Sequence, residues 1–146
     1  MLIAIPLTQG LNFYHSNPFT APQFGIYSIE KQDHSITYLQ KEVIQNPWSQ
    51  IFDGEFCNEQ ITCNCSEEKQ CELTHMVQHY GLADLLSNCA YLLVDKRCEN
   101  IAKTFQKLHI RLYKIPAIIK NPTSAIKNLI IGVSLADHIQ DIHYAS

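Results

Sequence analysis

The chain has 146 residues, the length of one domain that can bury a core without disulfide bonds. Its 11 basic and 14 acidic residues give a formal charge of -3. Such a chain has no positive field to gather nucleic acid or an anionic membrane, so neither class of partner is expected.

The N-terminal segment MLIAIPL is apolar, but no basic segment precedes it, Pro6 interrupts it and no small-residue cleavage site follows. We therefore predict a buried strand over LIAIP rather than a signal peptide. No apolar run approaches the roughly twenty residues that cross a bilayer, so we expect a cytoplasmic protein. In a reducing compartment its six cysteines would be thiols, metal ligands or redox groups.

The first half of the chain continues as a loop and a hairpin. Residues 8–22 are rich in Gly, Asn, Ser and Pro, which predicts a long loop. The segments QFGIYSIE and SITYLQKEV, separated by KQDH, predict an antiparallel hairpin.

The second half alternates helices with strands. CAYLLVD and RLYKI predict buried strands on either side of a helix whose inner face carries Ile101, Phe105 and Leu108. Asn121 before Pro122 predicts the start of a last helix. The first helix of this half, from about Ser66, has an apolar stripe formed by Leu73, Met76, Val77, Tyr80, Ala83 and Leu86.

The order of these elements predicts a single α/β domain over residues 1–146, with a mixed, mostly parallel sheet of about five strands and helices on both faces. A cysteine-rich insert of about residues 50–72 and an extra tail of about residues 133–146 complete the chain. For the tail we predict a short amphipathic helix on Leu135, Ile139 and Ile142, which packs on its own domain or on a second copy in a homodimer.

The insert contains the segment CNEQITCNCSEEKQC, with four cysteines and almost no apolar residue. Cys63 and Cys65 are two apart, so in an extended chain both side chains leave on one side and can reach one metal ion. Cys57 and Cys71 flank them with equal gaps. This spacing differs from that of common zinc ribbons and of ferredoxins, so it indicates metal by composition and leaves the geometry open.

The helix after the insert adds histidines to this set. Cys71, His75 and His79 follow one another at four-residue steps and form one row, which we predict to face away from the apolar stripe, towards solvent or a metal. Thiolate and imidazole ligands suit zinc, copper or iron. Three interpretations remain open for the insert: a metal or metal-sulfide site, a flexible loop with redox-sensitive thiols, or a disulfide.

Two cysteines lie outside the insert. Cys98 follows the strand CAYLLVD and precedes a helix, so we predict that it lies at the carboxyl edge of the sheet near a helix N-terminus, beside Lys96 and Arg97. There it can bind an anionic cluster; the alternative is an ordinary exposed loop. Cys89 has apolar neighbours and is predicted to be a core residue.

The chain resembles the dinitrogenase iron-molybdenum cofactor biosynthesis family in LIAIP, in APQFGIYSIE after a long loop, in QNP, in GLADLLSNCAYLLV and in LHIRLYKIP before PTSAI. The similarity extends to about Leu129 and leaves out the insert and the tail. It implies a ribonuclease H-like fold and a domain that binds or carries iron-molybdenum-type clusters. A relative, the orange protein, holds a molybdenum-copper sulfide cluster.

The chain departs from the family at two places. Where the family commonly has His-Phe-Gly before the Ala of APQF, this chain has Asn17, Pro18 and Phe19 before Thr20, and its nearest histidine is His15. Where the family commonly has glycines after its fourth strand, this chain has DKRCEN. If the replaced positions hold a cluster in relatives, that binding mode does not transfer to this chain unchanged. The resemblance implies His15 as a cofactor-binding residue, and with Cys98 it would lie near a second, family-like pocket.

Nothing in the sequence indicates an enzyme. Nuclease chemistry on a ribonuclease H-like fold needs several carboxylates around two metal ions, whereas Asp95 alone ends a predicted strand. There is no phosphate-binding glycine loop and no nucleophile elbow. Cys98 has no histidine at a spacing that would make it a nucleophile.

Two functional hypotheses follow. In the first, the protein carries or stores a metal-sulfur cluster of the Fe/Mo type for a client metalloenzyme, with metal ligands Cys57, Cys63, Cys65, Cys71, His75 and His79. In the second, it is an interaction or regulatory module whose insert holds a structural zinc or acts as a thiol redox switch.

Overall fold

One mixed sheet organises the domain. The computed structural model describes residues 1–32, 34–48, 73–133 and 141–145, and within these ranges six strands lie in the order β5-β4-β1-β2-β3-β6. The strands are β1 Leu2–Leu7, β2 Gln23–Gln32, β3 Ser35–Gln45, β4 Tyr91–Val94, β5 Arg111–Lys114 and β6 Asp141–Tyr144.

Three helices and a short 3-10 turn accompany the sheet in the described ranges. They are α1 Leu73–Leu85, α2 Glu99–Lys107, α3 Pro122–Gly132 and the turn Pro18–Thr20. The predicted cap of α3 is confirmed, because the Asn121 side chain accepts a hydrogen bond of 2.8 Å from the Ser124 amide and Pro122 occupies the first turn.

The predicted hairpin is confirmed: β1, β2 and β3 pair antiparallel in chain order. β4 then pairs parallel with β1, and β5 parallel with β4. Pro6 is tolerated in β1 because β4 reaches only Ile3 and Ala4. The backbone of Pro6 points to the same side of β1 as β4, and there the Pro6 carbonyl accepts from the Tyr14 amide. Since β4 does not reach Pro6, the amide hydrogen that proline lacks would have had no partner in the sheet.

Helices cover both faces of the sheet, as predicted. On one face α1 and α2 bury an apolar cluster against β1, β2 and β4 that includes Phe24, Leu82 and Phe105. On the other face α3 closes a second cluster, in which Ile126 and Leu129 have no exposed surface. The chain is therefore an α/β domain with a mixed sheet between two helical layers.

The helix predicted for the tail is wrong where the structure describes the tail. Residues 141–144 form the strand β6, which pairs parallel with β3 and brings Tyr144 into edge contact with Tyr38 at 5.4 Å between ring centroids. The outer edge of β3 has backbone donors and acceptors that can pair with another strand. The spacing of apolar residues in the sequence does not indicate which segment pairs there. Leu135 and Ile139 lie outside the described residues.

The buried face of α1 also differs from the predicted stripe. Ala83 and Leu86 are buried as expected, but Val77 is 57% exposed, whereas His79 is completely buried. The inward positions of α1 are His79, Leu82 and Ala83, and Leu86 continues them directly after the helix. α1 has apolar residues around much of its circumference, so its packing against the sheet decides which of them are buried. The prediction that the histidine row faces away from the core is therefore wrong for His79.

Candidate functional site

The carboxyl ends of β1, β4 and β5 meet at one edge of the sheet, because these three strands are parallel neighbours. The loop after β1 contributes His15, the loop after β4 contributes Asp95 and Cys98, and β5 ends at Lys114. In open α/β sheets, ligands bind at this kind of edge.

A histidine and a cysteine meet beside this edge. His79 of α1 approaches Cys98, which lies at the N-cap position of α2, with 3.3 Å between Nε2 and Sγ. The His79 side chain has no exposed surface, and Cys98 is partly buried against the same cluster. Two residues 19 apart in sequence thus bring an imidazole nitrogen and a sulfur atom into contact.

The ring of Phe19 holds His79 in its orientation. The two rings stack with 3.9 Å between centroids and an interplanar angle of 9°. Phe19 is itself fixed by its backbone, since Asn17 Oδ1 accepts from its amide at 3.2 Å and its carbonyl accepts from Asn46 Nδ2 at 2.8 Å. The stack leaves the edge of the imidazole, with Nε2, facing the thiol.

The donor chemistry of this pair fits a metal. Zinc binds thiolate sulfur at about 2.3 Å and imidazole nitrogen at about 2.0–2.1 Å, so two tetrahedral ligands have S and N about 3.6 Å apart. The observed 3.3 Å between His79 Nε2 and Cys98 Sγ is close to that separation. Two donor atoms are fewer than the four ligands of a structural zinc site.

His15 has a different environment at the same edge. Its Nδ1 lies 2.8 Å from Asp95 Oδ2, and its Nε2 lies 2.6 Å from the carbonyl oxygen of Ile119. The carbonyl oxygen of Ile119 and the ionised carboxylate of Asp95 are both hydrogen-bond acceptors. Phe13 packs edge-on against the ring at 4.8 Å. In this geometry both nitrogens of His15 are occupied by oxygen atoms rather than presented to a cluster.

Asp95 joins His15 to β5. Its carboxylate forms a salt bridge with Lys114, whose Nζ also donates to the Asp95 carbonyl at 2.7 Å. The hydrogen bond from Lys114, followed by that from His15, lowers the pKa of Asp95 below its ordinary value against the opposing effect of burial. Asp95 is therefore an ionised link between the loop after β1 and the end of β5.

The structure brings together only part of the predicted ligand set. Cys98 and His79 meet, whereas His15 belongs to the Asp95 network. For His75 only the backbone, within α1, is described. The remaining predicted ligands lie outside the described residues: Cys57, Cys63, Cys65 and Cys71. Among the described residues, no group of three or more His, Cys, Asp and Glu side chains is arranged to hold a metal ion.

Cys89 is a core residue, as predicted. It is 5% exposed at the end of the turn that leads into β4. Burial, with a smaller contribution from Glu42, raises the pKa of its thiol to about 11, so Cys89 remains a neutral thiol near pH 7.

Sequence reasoning did not identify three residues of this edge: Phe19, Asp95 as a network member, and Lys114. Asp95 gave one signal, a charged residue directly after an apolar strand. The sequence gave no signal that His15 or Lys114 would contact Asp95, because they lie 80 and 19 residues away from it along the chain.

No protein-family model matches the chain, and no curated protein matches it significantly. Its fold is similar to that in the crystal structure of PH0822, with a TM-score of 0.53 and 15% sequence identity over 91% of this chain and 92% of that one. This similarity supports the α/β fold alone. Within the described residues, no helix combines the length and apolar character needed to cross a membrane.

Proposed function

We propose that this protein binds a metal or metal-sulfur cluster of the iron-molybdenum type and carries or stores it for a client metalloenzyme in the cytoplasm, on a ribonuclease H-like fold. The observation that supports this most directly is the 3.3 Å contact between His79 Nε2 and Cys98 Sγ at the carboxyl edge of the sheet. Imidazole and thiolate are ligands for iron, copper and zinc.

The position of the pair along the chain supports the same function. α1, which carries His79, begins at Leu73, two residues after Cys71 and directly downstream of the segment with Cys57, Cys63 and Cys65. We infer that thiolates of this segment supply the ligands that complete the site around His79 and Cys98. Sulfur ligands are those that iron-sulfur clusters require.

The proposed role is carriage rather than catalysis. Asp95 at this edge is already bound to His15 and Lys114. Phosphoryl or nuclease chemistry with two metal ions would need several uncommitted carboxylates there. A nitrogen and a sulfur donor instead suit the binding of a metal.

A second candidate is an interaction or regulatory module with a structural zinc or a thiol redox switch. The separation of His79 Nε2 and Cys98 Sγ, 3.3 Å, also suits two ligands of one tetrahedral zinc. The two functions differ in lability: a carrier releases its metal and stays folded, whereas loss of a structural zinc unfolds the part that it holds.

The test is anaerobic purification of the full chain, followed by elemental analysis for iron, molybdenum, copper and zinc and by a visible absorption spectrum. The measurements are repeated after reconstitution with ferrous iron and sulfide. Cys98→Ser and His79→Phe remove one ligand each, and the phenyl ring keeps the stack on Phe19. Cys89→Ser is the matched control, because Cys89 is a buried, neutral thiol away from the pair.

We expect a coloured, sulfide-containing protein that transfers its metal to a chelator and stays folded, and a loss of most of the bound metal in Cys98→Ser and His79→Phe only. Colourless protein with one tightly held zinc would favour the second function. Equal metal content in all variants would remove the pair from either function.

A further inference from the structure

We propose that the free edge of β5, with the groove between β5 and α2, binds an extended acidic segment of a partner protein by strand addition. The starting observation is the position of β5 at the end of the strand order, β5-β4-β1-β2-β3-β6. On one side it pairs with β4, and in the described part of the chain no strand pairs with its other side.

The hydrogen bonds of β5 define which backbone groups point outwards. Arg111 and Ile115 donate their amides to the carbonyls of Ala90 at 2.9 Å and Val94 at 2.7 Å, both on the β4 side. Backbone groups alternate sides along a strand, so Leu112 and Lys114 direct their amides and carbonyls away from β4. An added strand would find donors and acceptors at a two-residue spacing, which is the pattern of β-strand addition.

A groove runs along this edge beside α2. It consists of two adjoining cavities of about 550 Å³ and about 380 Å³ that share Ala102 of α2 and Leu112 of β5. Ile110 and Val94 add apolar lining at its two ends. Alternate side chains of an added strand would point into this groove, and an apolar residue fits its middle.

The charges around the groove favour an acidic partner segment. The first cavity has Arg111 at its rim, and the second has Arg97 and Lys114 with Asp95. Lys114 and Asp95 neutralise each other in a salt bridge, which leaves Arg97 and Arg111. Both are exposed, and neither has an ion-pair partner among the described residues. Two uncompensated positive charges flanking an apolar groove are complementary to acidic residues on either side of an apolar one.

The same charges disfavour a second copy of this chain as the occupant. Two β5 edges paired antiparallel about a twofold axis would bring Arg111 and Lys114 of one copy close to the same residues of the other, because the strand has only four residues. Like charges close together across a strand pair destabilise it, and edge charges commonly prevent self-association. The surface therefore suits an acidic strand from a different protein. It is independent of the metal proposal, because neither His79 nor Cys98 lines the groove.

The probe is a fluorescein-labelled peptide of alternating glutamate and valine, compared with its lysine and valine counterpart. Binding to the full chain is followed by fluorescence anisotropy at two salt concentrations, and amide shifts are followed by NMR. The double variant Arg97→Glu and Arg111→Glu tests the charges. Lys31→Glu with Lys127→Glu is the matched control, since both lysines are exposed and lie outside the groove lining.

We expect the acidic peptide to bind, to shift the amides of Leu112 and Lys114, and to weaken by about tenfold or more in the double variant and at high salt. The control variant and the wild type should bind it alike. The proposal is overturned if the acidic and lysine peptides bind equally, if the shifts map elsewhere, or if no binding occurs and the charges serve only to keep the edge unpaired. Dimerisation of the free protein through β5 would also overturn it.

Discussion

Two histidines at the same edge of the sheet have opposite environments. His15, with 29% of its side chain exposed, has an oxygen acceptor at each ring nitrogen. His79 is completely buried, lies flat on Phe19 and directs Nε2 at a sulfur atom. One histidine therefore links three loops, whereas the other presents a soft ligand beside a thiol.

This contrast teaches that proximity to a ligand-binding edge does not make a histidine a ligand. The family resemblance indicated His15 as a cofactor-binding residue, and its loop does reach the edge of the sheet. Its ring nitrogens, however, bond to Asp95 and to the carbonyl of Ile119, so its hydrogen bonds hold loops together. His79 was assigned to an outward row and instead faces the interior. The second environment, with a sulfur neighbour, is the one that suits metal chemistry.

The largest effect should come from truncating the buried ring. His79→Ala removes a completely buried aromatic side chain from its stack on Phe19, and we expect a loss of about 3 kcal/mol in the free energy of unfolding. His15→Ala, at a partly exposed site, should cost about 1–2 kcal/mol. Urea denaturation of both variants measures the difference. If His15→Ala proved the more destabilising of the two, the assignment of core and surface roles would be reversed.

A second experiment isolates the network around His15. Asp95→Asn keeps the shape of the side chain but removes the charge that Lys114 and His15 bind, and we expect a loss of about 1–2 kcal/mol at pH 7.

The pKa of Asp95 is lowered in the folded protein, so its contribution is fully present above the unfolded value of about 3.9 and is lost as the pH falls through the lower, folded value. The difference in unfolding free energy between wild type and Asp95→Asn should thus shrink in acid, as the pH falls below the unfolded value. A difference that does not vary with pH would mean that the carboxylate is not held in its ionised form.

The smallest effect concerns a third histidine that has neither role. His109 follows α2 with a φ of 61°, in the left-handed region that glycine adopts without strain, and its side chain is exposed. His109→Gly should therefore stabilise the protein by about 0.5–1 kcal/mol, less the entropy that glycine gains in the unfolded chain. Thermal denaturation measures this change in stability, with His34→Gly, in the turn between β2 and β3, as a comparison. A clear loss of stability in His109→Gly would mean that the imidazole makes a contact whose stabilisation exceeds the backbone strain.

The sequence predicts those parts of this fold that depend on local patterns. The two runs of β-forming residues QFGIYSIE and SITYLQKEV, separated by KQDH, are enough for the hairpin, and Asn121 with Pro122 is enough for the start of α3. The position of Cys98 also follows from sequence, because a residue between a parallel strand and its helix must lie at the carboxyl edge.

The rest depends on contacts between distant residues. The link from His15 to Ile119 spans 104 positions, and that from His79 to Cys98 spans 19. The inward arc of α1 was ambiguous because Val77 and Leu82 are both apolar, and only packing against the sheet distinguishes the 57% exposed residue from the completely buried one. β6 was missed because four residues are too few for a period to separate strand from helix.

The contact of Trp48 with Gly81 has a consequence for how this chain can vary. A Cβ on Gly81 would lie 2.9 Å from the indole ring, so the ring packs where α1 lacks a side chain. Trp48 precedes the cysteine-containing segment and α1 follows it, so this contact joins parts of the chain on either side of that segment. The entropy of closing a loop between two joined parts of a chain grows only slowly with the length of the loop. We therefore expect segments of different length and ligand content to be tolerated there while the sheet and its two helical layers stay the same.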